Sequence, residues 1–314
     1  IGSPLLSFLL CSLCTPLQVL INGNPMLFLG AGFSYGSKNS YGDMATGNVL
    51  KDEIYNTFVK GAIKDRYETE VQQFTLQELC GFVNDHLKKK DELKSYLIKR
   101  FQDVEPALFH YLLSEYPWKK IYTVNIDDLV EHICHKNHID FVVQNTSKEK
   151  SVKDELEYVK LHGCVNAPDE PFIFSKTEYD NLISSRLNFK HNKLISDIQN
   201  ENFIFVGASL DERDIDYYIS QYENAGHFRK GKLFFIEPYP TLKLQMRVER
   251  LEGTIIKWTT EEFLKFVKKI NFNPTELEKR KMRLIYSGIY PLKDILNSVP
   301  KEDFMKDIIV IGMI

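Results

Sequence analysis

At 314 residues the chain is long enough to bury a substantial core, as one elaborated domain or two smaller ones. A composition of 43% hydrophobic and 26% charged residues, with 21 Phe and 16 Tyr, excludes a disordered chain. Its 40 basic and 43 acidic side chains leave a formal charge of −3, which excludes broad electrostatic binding to nucleic acid or to an anionic membrane.

The first twenty residues carry an apolar core like that of a signal peptide, but they lack a basic leader and Pro16 interrupts them. They are short for a membrane span, and a helix packed on a sheet edge is expected. Cys11 and Cys14 form a C-x-x-C here; with Cys80, Cys134 and Cys164 they make an odd, scattered set of five. That is no disulfide framework, so a reducing, cytoplasmic setting is expected. The C-x-x-C pair reads as buried thiols, with a zinc half-site as the alternative. A first residue other than Met and an apolar end at 308–314 fit a piece of a longer polypeptide.

Residues 26–29 form an apolar run that stops at Gly30-Ala31-Gly32-Phe33-Ser34. A run of this length bounded by glycine reads as a buried strand of a parallel sheet. The glycines after it let the backbone turn tightly and approach a ligand such as a dinucleotide pyrophosphate. The G-x-G-x-x-G pattern is incomplete, since Tyr35 stands three residues after Gly32, so an ordinary strand-to-helix turn stays open. Residues 35–47 are a polar loop long enough to act as a ligand lid.

From 48 to about 115 the pattern is helical, with Leu50, Ile54 and Phe58 on one face and Leu93, Leu97 and Phe101 on another. This is a larger helical insertion than one crossover requires. Strand character returns at 120–124, breaks at 125–128, and gives way to a helix at 129–137. A strand at 140–144, a charged loop at 147–155 and a strand at 158–161 follow. Residues 168–174 are irregular with some β character, and 176–199 read as helices. Strands at 202–206, 232–236 and 254–258, a helix at 211–224, and a helix at 261–269 capped by Thr260 complete the pattern. Strands alternating with helices imply an open parallel sheet covered on both faces. The expected organisation is one unit over 1–270, with insertions at about 48–115 and 165–200. An extension of short charged helices, broken by Pro274, Pro291 and Pro300, follows over 271–314.

Four strands end in polar or glycine-containing sequences: Gly30 to Ser34, Thr123-Val124-Asn125-Ile126-Asp127, Leu161-His162-Gly163 and Gly207-Ala208-Ser209. Ligands of open α/β sheets bind outside the carboxyl ends of the strands, so one crevice could gather all four. Each has a simpler reading alone: Asn125 and Asp127 as caps of the helix near Asp128, His162 as a core histidine, Ser209 as an N-cap. Their joint placement favours a site. His132, Cys134, His135 and His138 cluster within seven residues; on a helix His132, His135 and, more loosely, His138 share a side, and a metal site there is an alternative that the spacing allows.

The order Gly-Ala-Gly-x-Ser, Thr-x-Asn-x-Asp, Leu-His-Gly, Gly-x-Ser resembles the sirtuin signature over about residues 26–240. The resemblance implies an α/β fold, a Rossmann-type doubly wound parallel sheet with an inserted helical module, that binds NAD. Carried over by position, Gly30, Ala31, Gly32 and Ser34 would line the pyrophosphate and ribose, with Phe33 in the same turn. Asn125 and Asp127, with Thr123 beside them, would hold the nicotinamide ribose and carboxamide. His162 would be the general base, forming the catalytic pair with Asn125. Gly207 and Ser209 would face the adenosine side, and Glu237 would lie near the adenine ribose.

Two departures narrow the resemblance. Sirtuin deacylases carry two C-x-x-C pairs after Leu-His-Gly; here only Cys164 follows, so that zinc site cannot form and no zinc is expected. The Gly-Ile-Pro-Asp-Phe-Arg run that follows the first motif in the family is replaced by residues 35–42. In its zinc-free, helix-inserted pattern the chain is similar to the sirtuin-like NAD hydrolases of bacterial antiviral defence. That similarity implies NAD as substrate, split into nicotinamide and ADP-ribose, in a cytoplasmic homo-oligomer or with a regulatory partner that gates the crevice. No nucleic-acid or membrane partner is expected. A protein deacylase and a non-catalytic sensor of NAD or ADP-ribose are the alternatives.

Overall fold

The computed structural model describes residues 23–144, 155–184, 189–210, 220 and 230–269. Its centre is a seven-stranded sheet in which every pairing is parallel. The strands are β1 (Met26–Leu29), β4 (Lys120–Thr123), β5 (Phe141–Gln144), β6 (Leu156–Lys160), β7 (Phe203–Val206), β8 (Leu233–Ile236) and β9 (Thr254–Ile256). They lie in the order β5-β6-β4-β1-β7-β8-β9. From β1 the chain builds outward on one side through β4, then returns to the other side at β7. The order therefore reverses between β1 and β7, and this reversal is where doubly wound sheets open a crevice.

The strands are nearly continuous apolar runs because both faces of the sheet are covered. Side chains alternate between the two faces with period two. Leu27 and Leu29 join one buried cluster with Ile121, Ile204 and Val206; Met26 and Phe28 join the other with Tyr122, Phe203 and Phe205. On the second face the rings of Phe205 and Phe235 stack at 4.5 Å, and Phe28 lies 5.1 Å from Phe205. Burying one such side chain contributes roughly 1.5–3 kcal/mol.

The first face is covered by the inserted helices and two later ones. The insertion holds α1 (Gly47–Ile54), α2 (Asp65–Gln72), α3 (Leu76–Gly81), α4 (Lys90–Phe101) and a 3₁₀ segment, Leu108–Glu115. Leu50, Ile54, Phe58, Leu93, Leu97 and Phe101 are all buried, as their spacing predicts. Helix α5 (Leu129–Lys136) and helix α9 (Thr260–Lys268) complete this face through Ile133 and Val267. Helices α6 (Lys176–Ser184) and α7 (Phe189–Asn200) follow β6; Leu194 and Ile198 of α7 cover the second face with Leu244 and Val248 of α8 (Leu242–Arg250).

Two local readings need correction. Helix α8 is absent from the sequence pattern as read above, because only a short span separates Pro240 from Gly253. Its signal was Thr241, whose hydroxyl accepts the Leu244 N–H at 3.2 Å, ahead of Leu244 and Val248 at helical spacing. Thr259, not Thr260, caps α9: its hydroxyl accepts the Glu262 N–H while the Glu262 carboxylate accepts the Thr259 N–H at 2.8 Å. Three residues after Thr260 stands Phe263, which cannot return such a bond. Residues 168–174 are irregular, as read, and the β character expected within them does not amount to a strand.

The loop over 35–47 is tied down at several points. Two short strands, β2 (Lys38–Asn39) and β3 (Gly42–Asp43), pair across it. Asn39 Nδ2 donates to the Arg100 and Gln102 carbonyls at 2.9 and 3.1 Å, and Arg100 Nη2 donates to the Asp43 carbonyl at 2.7 Å. Glu53 holds the buried guanidinium in place at 2.8 Å. No helix among the described residues is long and apolar enough to cross a membrane. The expected N-terminal helix with Cys11 and Cys14, the charged loop, the helix at 211–224 and the extension beyond 271 lie outside the described residues, save Glu155 and Ser220.

Candidate active site

Parallel pairing brings the predicted residues to one edge. Leu29 is in register with Thr123 on one side and Val206 on the other, Thr123 with Lys160, and Val206 with Ile236. The next residue along each strand is therefore Gly30, Val124, Leu161, Gly207 and Glu237. One step further on β4 and β6 stand Asn125 and His162.

At the switch point the two glycine turns meet backbone to backbone. The Gly30 N–H donates to Val206 O at 3.0 Å and the Gly32 N–H to Gly207 O at 2.9 Å. A Cβ on Gly30 would fall 2.4 Å from Gly207 O, and one on Gly32 2.9 Å from Gly207 Cα. Gly207 itself has φ +60°, in the left-handed region. These glycines are thus required first for contact between the strand ends. Ala31 is exposed on the 3₁₀ turn Ala31–Ser34, whereas the Phe33 ring turns into the core against His110 at 5.3 Å.

A chain of hydrogen bonds joins this turn to the end of β4. Thr123 Oγ1 donates to Leu29 O at 2.9 Å and accepts the Asn125 N–H at 2.9 Å. Asn125 Nδ2 donates to Gly30 O at 3.0 Å and to Ser34 Oγ at 3.1 Å. Ser34 Oγ donates to Asp127 Oδ2 at 2.8 Å, and Asp127 Oδ1 accepts the Leu129 N–H at 3.2 Å. A carbonyl can only accept, so Gly30 O fixes which end of the Asn125 amide faces it. The amide oxygen is left facing elsewhere, and among the described residues it carries no hydrogen bond. Asn125 is half-buried. Asn125 is therefore no helix cap, whereas Asp127 does take one N–H of the first turn of α5. The adjacent Asp128 carboxylate accepts the Asp103 and Val104 N–H groups, both at 2.9 Å, tying the end of the insertion to α5.

His162 is buried, its ring meeting Tyr179 of α6 edge-on at 5.3 Å. Gly163 after it has φ +106°, and a Cβ there would fall 2.6 Å from the Phe172 ring. Ser209 is exposed at the same sheet edge, two residues after Gly207. Glu237 is half-buried, and its Oε1 accepts the Tyr239 N–H at 3.2 Å.

Burial sets the electrostatics. The Asp127 carboxyl is pushed up to about 6, chiefly by desolvation with Glu131 adding to it, against the opposing pull of Lys160 and the Ser34 hydroxyl. Burial alone would lower Lys160, yet Glu131, Cys164 and Asp127 together hold its ammonium above the ordinary lysine value. Neither Lys160 nor Glu131 emerged from the sequence as a site residue. The available signal was a lysine within the apolar run of β6 and a glutamate one helical turn after Asp127.

His110 was likewise missed. It is fully buried; its Nδ1 accepts the Ala107 N–H at 3.1 Å, so Nε2 carries the proton that binds Phe33 O at 2.8 Å. Burial lowers its pKa despite those two bonds. A histidine lowered in the folded state contributes stability fully above its unfolded value of about 6.5, and loses it as pH falls below that value through the folded one. The melting-temperature gap between wild type and His110→Gln is thus expected to be wide at pH 7.5 and to shrink towards pH 5. A gap independent of pH would contradict this.

The His132 ring binds the Val104 carbonyl and His135 packs edge-on against Phe141. Those two rings turn to different partners rather than to one shared point. Among the described residues no three His, Cys, Asp or Glu side chains are grouped to hold a metal ion.

An open parallel sheet, doubly wound, with glycine turns meeting at its switch point, defines a Rossmann-type α/β protein with its crevice at the strand carboxyl ends. Residues 119–259 match the family model of the SIR2-like domain, a stretch that holds Asn125, His162 and Gly207. Over that stretch, which is under half of the chain, the sequence is similar to the SIR2-like family. It is 24% identical over 149 residues to the NAD(+) hydrolase ThsA of Bacillus cereus (strain MSX-D12), covering 46% of this chain and 31% of that one. To the NAD(+) hydrolase ThsA of Acinetobacter baumannii (strain 532279) it is 29% identical over 123 residues, 37% of this chain and 24% of that one. The chain thus spans under a third of the length of either curated relative. A solved Sir2 enzyme aligns over 86% of this chain and 99% of its own at 14% identity, with a TM-score of 0.47.

Proposed function

We propose that the protein hydrolyses NAD at the nicotinamide–ribose bond. The observation that carries this reading is the Asn125 amide. Gly30 O and Ser34 Oγ hold its nitrogen and turn its oxygen away from them, at the switch point of a sirtuin-like sheet. The names of the two ThsA relatives support the substrate.

The chemistry matches those groups. The C1′–N bond breaks with both electrons going to the pyridinium nitrogen, so nicotinamide leaves neutral and the ribose becomes oxocarbenium-like. Water adds its oxygen at C1′ and its proton passes to solvent, giving ADP-ribose. The protein must orient the ribose, restrict water and accept one proton. The Asn125 oxygen is an uncharged acceptor for a ribose hydroxyl or for that water. His162, two residues past β6, accepts the proton on a ring nitrogen.

An unrestrained NAD hydrolase depletes its own cell, so the crevice is gated by self-assembly or by a regulatory partner. This fits the resemblance to antiviral defence hydrolases. Incubating the protein with NAD, with and without an acetylated lysine peptide, tests the assignment. Nicotinamide release in both tubes is expected. Release only with peptide would establish a deacylase, and binding of NAD or ADP-ribose without release would establish a sensor.

A further inference from the structure

Beneath the chain of Asn125, Ser34 and Asp127 lies a buried charge cluster that the reaction as written leaves unused. Lys160, the last residue of β6, is completely buried. Its Nζ donates to Glu131 Oε1 at 2.8 Å and to the backbone carbonyl of Asp127. The Glu131 side chain, on α5, is 6% exposed, and its Oε2 is buried with no hydrogen-bond partner. Cys164 Sγ lies 3.6 Å from the bonded oxygen.

Stability does not account for this arrangement. Apolar side chains of similar volume serve a buried strand as well as a buried ion pair does, or better, and they leave no oxygen orphaned. What distinguishes the pair is where it points. Lys160 binds the main chain at Asp127, and its charge lies beside the carboxylate that receives the Ser34 proton.

We infer that Lys160, anchored by Glu131, is a positioning residue that fixes the Asp127 turn and keeps its carboxylate available as the acceptor for Ser34. Ser34 then presents its oxygen to Asn125 Nδ2, which sets the direction of the Asn125 amide oxygen. The charged and titratable groups that act on Asp127 are Lys160 and Tyr158 from β6 and Glu131 from α5, while Cys164, after β6, acts on Lys160 and Glu131. Lys160 opposes protonation of Asp127 and Glu131 favours it, so removing each must move Asp127 in opposite directions. The consequence for turnover rests on the NAD-cleaving reading; the consequence for Asp127 does not.

The test compares wild type, Lys160→Met, Glu131→Gln and the double variant. The Asp127 carboxyl is titrated by difference infrared spectroscopy against Asp127→Asn, and nicotinamide release is followed across pH. Lys160→Met is expected to move the Asp127 titration up by about one pH unit and Glu131→Gln to move it down, with the double variant between. At pH 7 Lys160→Met should lower kcat by about 100-fold with KM nearly unchanged, as a displaced reacting group does. A pair that only holds the fold would leave kcat of the folded variants unchanged, and either that result, two shifts of the same sign, or none would overturn the inference. Should Lys160→Met fail to fold, a Glu131→Gln titration that does not fall below wild type is enough to overturn it. If wild type releases no nicotinamide, the assigned reaction fails while the infrared shifts still decide the role of Lys160. If wild type turns over without opposed shifts, the reaction stands and the inference falls.

Discussion

Asn125→Ala is expected to lower nicotinamide release from NAD by about 100- to 1,000-fold, the loss typical of one preorganised polar group in an active site. Gly30 O holds the amide nitrogen at 3.0 Å, so the oxygen is aimed before any ligand arrives. Asn125→Asp is the sharper variant. It keeps the shape but sets a carboxylate oxygen against Gly30 O, two acceptors facing each other, so it should be no more active than the alanine variant. His162→Ala should cost about 100- to 10,000-fold, the range for a lost general base. Its edge-on contact with Tyr179 is a packing interaction that the variant disturbs, so the kinetic loss is read at a temperature where melting curves show the variant fully folded. Turnover retained in both Asn125→Ala and His162→Ala would remove the proposed mechanism.

Gly207→Ala should be the most damaging single-methyl change at the crevice. The new Cβ would stand 2.4 Å from both Gly32 C and Phe33 N. These are backbone atoms at the junction of β1 and β7, so no side chain can move aside. The left-handed φ of +60° adds about 1 kcal/mol for any L side chain. Overlap in a packed region adds roughly 1–3 kcal/mol more. A total of about 3 kcal/mol corresponds to a fall of about 10 °C in melting temperature for a domain of this size. Gly47→Ala, at the start of α1 with nothing within 4 Å of its Cβ, is the control and should be neutral or slightly stabilising. Equal melting temperatures for Gly207→Ala and wild type would show that the strand ends are not packed as described.

Much of the architecture could be read from local pattern. Both faces of the sheet are covered, so β1, β7 and β8 are apolar throughout, and such runs between glycines and helical stretches are visible in one dimension. The first of the helices between β1 and β4 was legible because Leu50, Ile54 and Phe58 must share a face to be buried. Short elements were not. Helix α8 offers few residues to establish a period, and the cap of α9 depends on which of two adjacent threonines finds a glutamate three positions on.

The sequence by itself determined which residue types end the strands: glycines where no Cβ can fit, and Ser34, Asn125, Asp127 and His162 with their hydrogen-bonding and titrating groups. Only the tertiary structure decided what each one does there. Parallel register carried turns as far apart as Gly32 and Gly207 into direct contact, and it turned the Asn125 amide by giving it a carbonyl that can only accept. Folding also buried Lys160, Glu131 and His110, whose effect comes from desolvation and from partners 29 to 77 residues away in sequence. A burial or a hydrogen-bond partner at that distance has no local signature, because it exists only once the strands are side by side.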